Sequence, residues 1–227
     1  MFHVRLVIRI GGSVVASPFN PTLMNEYVKL LERLRAQEHV VATVVGGGSL
    51  SRDLIEIARA MGLSEAAQDE VAISVSRLMA QLLALRLGRL GALTVPTTVG
   101  QAAELLEKGK VVVMGGLKPG MTTDAVAALL AERVKADLLV KATNVNGIFT
   151  KDPKRYSDAE KIDCLGFDDL FGFFEKEEHE VGIHQVLDPE AVRILLRSRI
   201  RTVVVNGFRP ENVLMAVKGE KVGTLIS

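Results

Sequence analysis

A chain of 227 residues has room for one large α/β domain or two small ones. Apolar residues make up 48% and charged residues 24%, which excludes a disordered chain and supplies a core of ordinary size. The 28 Lys and Arg against 27 Asp and Glu leave a formal charge of +1, so no basic footprint points to nucleic acid or an acidic membrane.

With no Trp and 4% aromatic residues, the chain also lacks stacking platforms for single strands. Cys164 stands alone, which excludes an intramolecular disulfide and a cysteine-based zinc cluster. No run approaches the ~18 to 20 apolar residues of a membrane span. The first strand-like run, residues 4–10, carries Arg5 and Arg9 and leads to no small-residue cleavage site, so it reads as a strand and not a signal peptide. The expected setting is the cytoplasm.

In chain order, a helix is predicted over residues 21–37, then a strand over 40–45, VVATVV, apolar on both faces. Helices follow over 50–61 and 71–87, a strand over 93–95, a helix over 100–108 and a strand over 111–114. The second half predicts a helix over 122–136 and a strand over 138–141. Past an irregular stretch come a helix over 189–198, a strand over 202–205, a helix over 211–218 and a strand over 224–226. This alternation implies an α/β fold, a three-layer α/β/α sandwich around a mainly parallel sheet. Residues 143–188 carry turn signals, the acidic cluster Glu175-Lys176-Glu177-Glu178 and weak periodicity, the mark of a functional or mobile segment. No linker interrupts the chain. A single domain, 1–227, is expected, with an N-terminal lobe over about 1–110 and a C-terminal lobe over about 111–227.

Three turns share one design, in which an apolar strand runs into glycines and a helix starts just beyond. They are Gly11-Gly12-Ser13, Gly46-Gly47-Gly48-Ser49, and Gly115-Gly116 continuing through Leu117, Lys118, Pro119, Gly120, Met121, Thr122, Thr123 and Asp124. Exposed N–H groups and the positive end of a helix suit phosphate oxygens, and the carboxyl edge of a parallel sheet is where ligands bind. A lone glycine turn serves geometry equally well; three in succession favour an anion site. No P-loop, no Gly-x-Gly-x-x-Gly, no His-Glu-x-x-His and no Gly-x-Ser-x-Gly is present. The scattered His3, His39, His179 and His184 read as surface or core residues.

Asp124 opens the helix of residues 122–136, either as a carboxylate favoured by the helix dipole or as one held among phosphate-binding loops. On the second reading, Asp124→Asn is expected to lower turnover with little effect on folding. Arg52, one turn beyond the triple glycine, is a phosphate contact or a solvated arginine. Asp69 precedes the 71–87 helix, where an N-cap is the plain explanation. Asn146-Gly147 and Asp152-Pro153 are turn signals, and Phe149 and Asp152 are also candidates to line a flat pocket.

Together these motifs resemble the amino acid kinase family, and within it the UMP kinases of archaeal type. The resemblance runs nearly end to end, through Gly11-Gly12-Ser13, Gly46-Gly47-Gly48 with Arg52, Asp69, Pro119-Gly120, Thr122-Thr123-Asp124-Ala125, Ala142-Thr143-Asn144-Val145, Asp152-Pro153 and Leu187-Asp188-Pro189. It implies transfer of the γ-phosphoryl group of ATP to UMP, giving UDP, with Mg²⁺, in pyrimidine nucleotide biosynthesis. It also implies a homohexamer, a trimer of dimers joined through the N-terminal lobe, with no nucleic acid or membrane partner. By this likeness Asp124, Arg52 and Gly12 are catalytic. Gly47, Asp69 and Leu117, Lys118, Pro119, Gly120, Met121, Thr122 and Thr123 hold UMP. Gly12, Ser13, Gly48, Arg52, Thr143, Phe149 and Asp152 hold ATP, and no residue is assigned as a metal ligand.

The chain departs from the family pattern at several points. Phe149 stands for a usual tyrosine, Asn146 for an aspartate, Met79 for an asparagine, and Leu117 and Met121 for more polar residues. The lysine common in the first loop is missing. Arg9 and Lys141 are candidate substitutes, although strand alternation leaves open that Lys141 points away. A phosphate monoester acceptor, with a second pKa near ~6, is already ionised and needs no general base, which suits a site of glycines, threonines and cations. The rivals are a relative acting on carbamate, isopentenyl phosphate or an amino acid, and a nucleotide-binding regulator without catalysis.

Overall fold

The structure is a computed structural model that describes residues 3–153, 155–170 and 186–227. The first half runs β1 (Arg5–Ile10), α1 (Gly12–Val15), α2 (Pro21–Ala36), β2 (Val40–Val45), α3 (Gly48–Ala60), α4 (Glu65–Leu87) and α5 (Val99–Glu107). It continues as β3 (Val112–Met114), α6 (Thr123–Arg133), β4 (Leu138–Thr143), β5 (Ile148–Phe149), β6 (Lys161–Ile162) and β7 (Cys164–Leu165). Then come α7 (Pro189–Ser198), β8 (Thr202–Asn206), α8 (Glu211–Val217) and β9 (Thr224–Ile226). His179, His184 and the acidic cluster at 175–178 lie outside the described residues.

Seven strands form one sheet in the order β3-β2-β1-β4-β8-β9-β7, parallel except that β9 runs antiparallel to β8. Strand alternation sorts the side chains of β1 into two cores. Leu6, Ile8 and Ile10 face α2 and α4, whereas Val7 faces the layer of α5, α6 and α7. β4 divides likewise, with Leu139 toward the α6 layer and Val140 and Ala142 toward the other. Arg9 follows the parity of Val7, and Lys141 that of Leu139, so both point to the α6 side. The two are register partners on neighbouring parallel strands. The three-layer sandwich is as the sequence predicts.

The short α1, β5, β6 and β7 are not expected from the sequence, and two further elements, the run at 93–95 and α4, differ from expectation. Residues 93–95 form no strand. Leu93 is 77% exposed, Pro96 follows, and the pairing nearby is a single bridge between Gly91 and Val111. α4 starts at Glu65, six residues before the predicted helix, because Ser64 caps it by accepting from the Ala67 N–H. α4 with its following turn, Glu65–Leu90, is also long and apolar enough to cross a membrane by length and composition. It belongs instead to the domain core, with Met79, Leu83 and Leu87 buried and Leu78, Leu82 and Leu85 left exposed.

The α2 layer is pinned to β8 by Tyr27, which is fully buried and donates from its hydroxyl to the Gly207 carbonyl at 2.7 Å. Tyr27→Phe leaves that carbonyl without its donor and is expected to lower stability by about 1–3 kcal/mol in urea titration. An unchanged unfolding midpoint would show that the bond contributes nothing.

Candidate active site

The carboxyl edge of the sheet gathers the glycine turns, because β1, β2 and β3 all end there. Gly11 donates to the Ala142 carbonyl at 2.8 Å, tying the end of β1 to β4. The first two turns then meet backbone to backbone. A Cβ on Gly12 would lie 2.2 Å from the Gly48 nitrogen, and one on Gly48 would lie 2.2 Å from the Ala16 carbonyl oxygen. Gly48 also sits at φ +67°, a conformation side chains rarely adopt. Ser13, half-buried, follows in the one-turn helix α1.

Beside this junction, Asp124 in the first turn of α6 lies between two cations. Arg9 Nε approaches its Oδ1 to 2.5 Å, and Lys141 Nζ donates to its Oδ2. The Arg9 approach misses hydrogen-bonding geometry and is a charge contact; the guanidinium instead donates from Nη2 to Thr123 Oγ1 at 3.1 Å. Side-chain exposures are 16% for Arg9, 13% for Asp124 and 6% for Lys141. Burial pushes the Asp124 carboxyl up, but Arg9 and Lys141 together hold it below the usual carboxylate range. Burial likewise pushes the Lys141 ammonium down to about 8, a shift that Asp124 and Asp188 oppose and Arg9 reinforces. Two cations thus share one contacting anion near a helix N-terminus, so these three groups together carry a net positive charge at the sheet edge, with Asp188 a further anion acting on Lys141.

Adjoining it, a cavity of about 400 Å³ is lined by Gly47, Asp69, Lys118, Gly120, Met121, Thr122 and Thr123, with Ser51, Ala72, Ile73, Ser76 and Gly116. Thr123 belongs to both the cavity and the charged knot. The loop after β3 is stapled to α4 at three points. Ser76 Oγ accepts from Gly116 N–H at 2.7 Å, Arg77 donates to the Gly116 and Leu117 carbonyls, and Asp69 Oδ2 accepts from Gly120 N–H at 2.7 Å. Asp69 is therefore no N-cap, since it lies in the second turn of α4.

The remaining residues singled out in the sequence are placed elsewhere. Leu117 packs against the core edge, and neither it nor Pro119 lines the cavity. Arg52 is exposed, donates to Ser17 Oγ at 3.3 Å and does not line the cavity. Thr143 ends β4, buried, its carbonyl accepting from Gly207 N–H. Phe149 is half-buried on β5, and the Asp152 carboxylate is 13% exposed with Arg155 at 3.6 Å. Lys141 does not point away, because parity with Leu139 carries it toward α6. Ser51, Ser76 and Arg77 received no role from the sequence; helical spacing from Asp69 was the available signal for the last two.

The sequence pattern of the amino acid kinase family matches residues 4–206. This chain belongs to the amino acid kinase family. It is 37% identical over 223 residues to a uridylate kinase of Methanobrevibacter smithii, covering 98% of this chain and 99% of the other. It superposes on the crystal structure of the uridylate kinase from Archaeoglobus fulgidus with a TM-score of 0.88 at 42% identity, over 98% and 100% of the two chains. The UMP kinase of Ureaplasma parvum, at 20% identity and a TM-score of 0.82, shares the fold. The buried charges of the chain lie at the sheet edge where the glycine turns converge.

The knot revises one expectation. Asp124→Asn removes the one carboxylate that contacts both Arg9 and Lys141, so it is expected to cost about 3–5 kcal/mol of stability, not to spare the fold. Urea unfolding of the variant, beside Asp124→Asn combined with Lys141→Met, checks this. The double variant should recover part of the loss, and an Asp124→Asn midpoint equal to wild type would refute the account.

Proposed function

We propose that this chain transfers the γ-phosphoryl group of ATP to UMP, giving UDP and ADP, as a step of pyrimidine nucleotide biosynthesis in the cytoplasm. The observation that carries this reading is the buried net positive charge of Arg9, Asp124 and Lys141 beside the cavity bounded by Asp69 and residues 118–123. A desolvated surplus cation favours an anion that arrives with its own charge, such as a phosphate. The uridylate kinases at 37–42% identity support the choice of uridylate among phosphate acceptors.

An oxygen of the UMP phosphate attacks the γ-phosphorus, and the bond to the oxygen bridging β and γ breaks. The attacking group is already dianionic at neutral pH, so no base takes a proton from it. Alignment and charge stabilisation are the tasks left to the chain. Gly12 and Gly48 offer backbone close enough for phosphate oxygens, Lys141 and Arg9 face the charge spreading over the equatorial oxygens, and Asp124 fixes both cations in place. Arg9 thereby fills the role of the missing first-loop lysine. Gly47, Asp69 and residues 117–123 hold UMP, with Leu117 and Pro119 acting through the loop backbone. Ser13, Arg52, Thr143, Phe149 and Asp152 border the ATP side.

Mg²⁺ enters on the phosphates of ATP as part of the substrate. Among the described residues no group of three or more Asp, Glu, His or Cys could hold a metal ion, and Asp124 is already engaged by two cations.

In this reading the N-terminal lobe also carries assembly to a homohexamer, a trimer of dimers. Leu78, Leu82 and Leu85 form an exposed stripe on α4, an apolar surface suited to a second copy of the chain. Light scattering should return six-fold mass for the wild type and a smaller particle for Leu82→Glu; a monomeric wild type would refute it.

Supplying ATP with UMP, CMP, carbamate and an amino acid in parallel should give product with UMP foremost. Turnover by another acceptor in its place would reassign the enzyme, and binding without turnover would make it a regulator. Because Lys141 is charged below about 8 and neutral above it, turnover should fall as pH rises through that value. A flat alkaline profile would remove Lys141 from the transition state. Asp69→Ala, which frees the Gly120 N–H, should raise KM for UMP more than for ATP.

A further inference from the structure

Asp188 links two parts of the site. It stands at the N-terminus of α7, where its Oδ1 accepts from the Glu190 and Ala191 N–H groups at 3.0 and 3.1 Å. Two amides on one oxygen fix the carboxylate and leave Oδ2 to accept from Thr122 Oγ1 at 2.5 Å. Thr122 ends the stapled loop, and its hydroxyl oxygen also accepts from Ala125 N–H at 3.1 Å to cap α6. α7 packs along α6 through buried Ala191, Val192 and Leu195, so the core sets where this carboxylate stands. Its charge also acts on Lys141 from a distance, opposing the effect of burial together with Asp124 of α6 and against Arg9 of β1.

Helix capping alone would need only Oδ1, and serine, threonine or asparagine would serve as well. None of these carries the second charged oxygen. We propose that Asp188 is a positioning residue for phosphoryl transfer, holding the end of the acceptor loop through Thr122. The inference rests on the reading of the site as a UMP-phosphorylating centre.

The test is Asp188→Asn in the full chain, which keeps an amide oxygen for the α7 cap but removes the charge. KM for UMP should rise about tenfold, the scale of one charge-assisted hydrogen bond, with KM for ATP little changed. The alkaline fall in turnover should move to lower pH, because Lys141 loses one of its two anionic neighbours. Unchanged KM for UMP and an unmoved alkaline limb would reduce Asp188 to a cap and overturn the proposal. Should Asp188→Asn fail to fold, Asp188→Ser replaces it, keeping a capping oxygen for α7 without the second carboxylate oxygen on Thr122. It too should raise KM for UMP, and a KM equal to that of the wild type would overturn the proposal. If the wild type does not phosphorylate UMP, the functional reading itself has failed. Amide hydrogen exchange over residues 117–123 then still decides the clamp, with faster exchange in Asp188→Asn supporting it and identical exchange overturning it.

Discussion

The site depends on one carboxylate holding two buried cations. Arg9 and Lys141 come from adjacent parallel strands at the same register, where their like charges would repel across the sheet without Asp124 between them. Desolvating three charges is costly, and removing one member of such a group costs more than the group contributes. On the proposed function that cost has a functional sense, because the net positive charge of these three groups lies at the edge where the phosphates would be received. Fixed in advance, these charges need no reorganisation as charge develops in the transition state.

Everything around the knot serves its placement. Parity along β1 and β4 turns Arg9 and Lys141 to the α6 side, while the neighbouring residues Ile8, Ile10, Val140 and Ala142 fill the opposite core. The close approach of Gly12 to Gly48 brings the first two turns together with no side chain between them. α4 holds the acceptor loop from one side through Asp69, Ser76 and Arg77, and α7 holds its end through Asp188. The loop is thereby shaped before any substrate arrives, and less ordering is left to be done on binding.

The alternation of apolar runs and helical periods made the layered parallel sheet legible, and the glycine turns marked the edge at which Arg9, Asp124 and Lys141 gather. Pairings between distant segments were not legible in the same way. Asp124 showed as a first-turn carboxylate, but its two cations lie 115 and 17 positions away in the chain, and only the register of β1 with β4 brings them together. Asp69 reads as a cap from the sequence because the apolar period places the helix start six residues beyond its true start at Glu65, which conceals the bond of Asp69 to Gly120. The run at 93–95 had strand composition without a neighbour to pair with, so composition alone misplaced it. Arg52, prominent beside the triple glycine, proved to face solvent and Ser17.

The most direct test of the central claim is a crystal structure with a non-hydrolysable ATP analogue and UMP bound together. The account predicts the triphosphate along the Gly12 and Gly48 backbone, its terminal phosphate against Lys141 or Arg9, and the UMP phosphate beside Thr123. Triphosphate bound instead at the far cavity of Lys161, Arg201 and Lys221, with the Asp124 knot untouched, would contradict it.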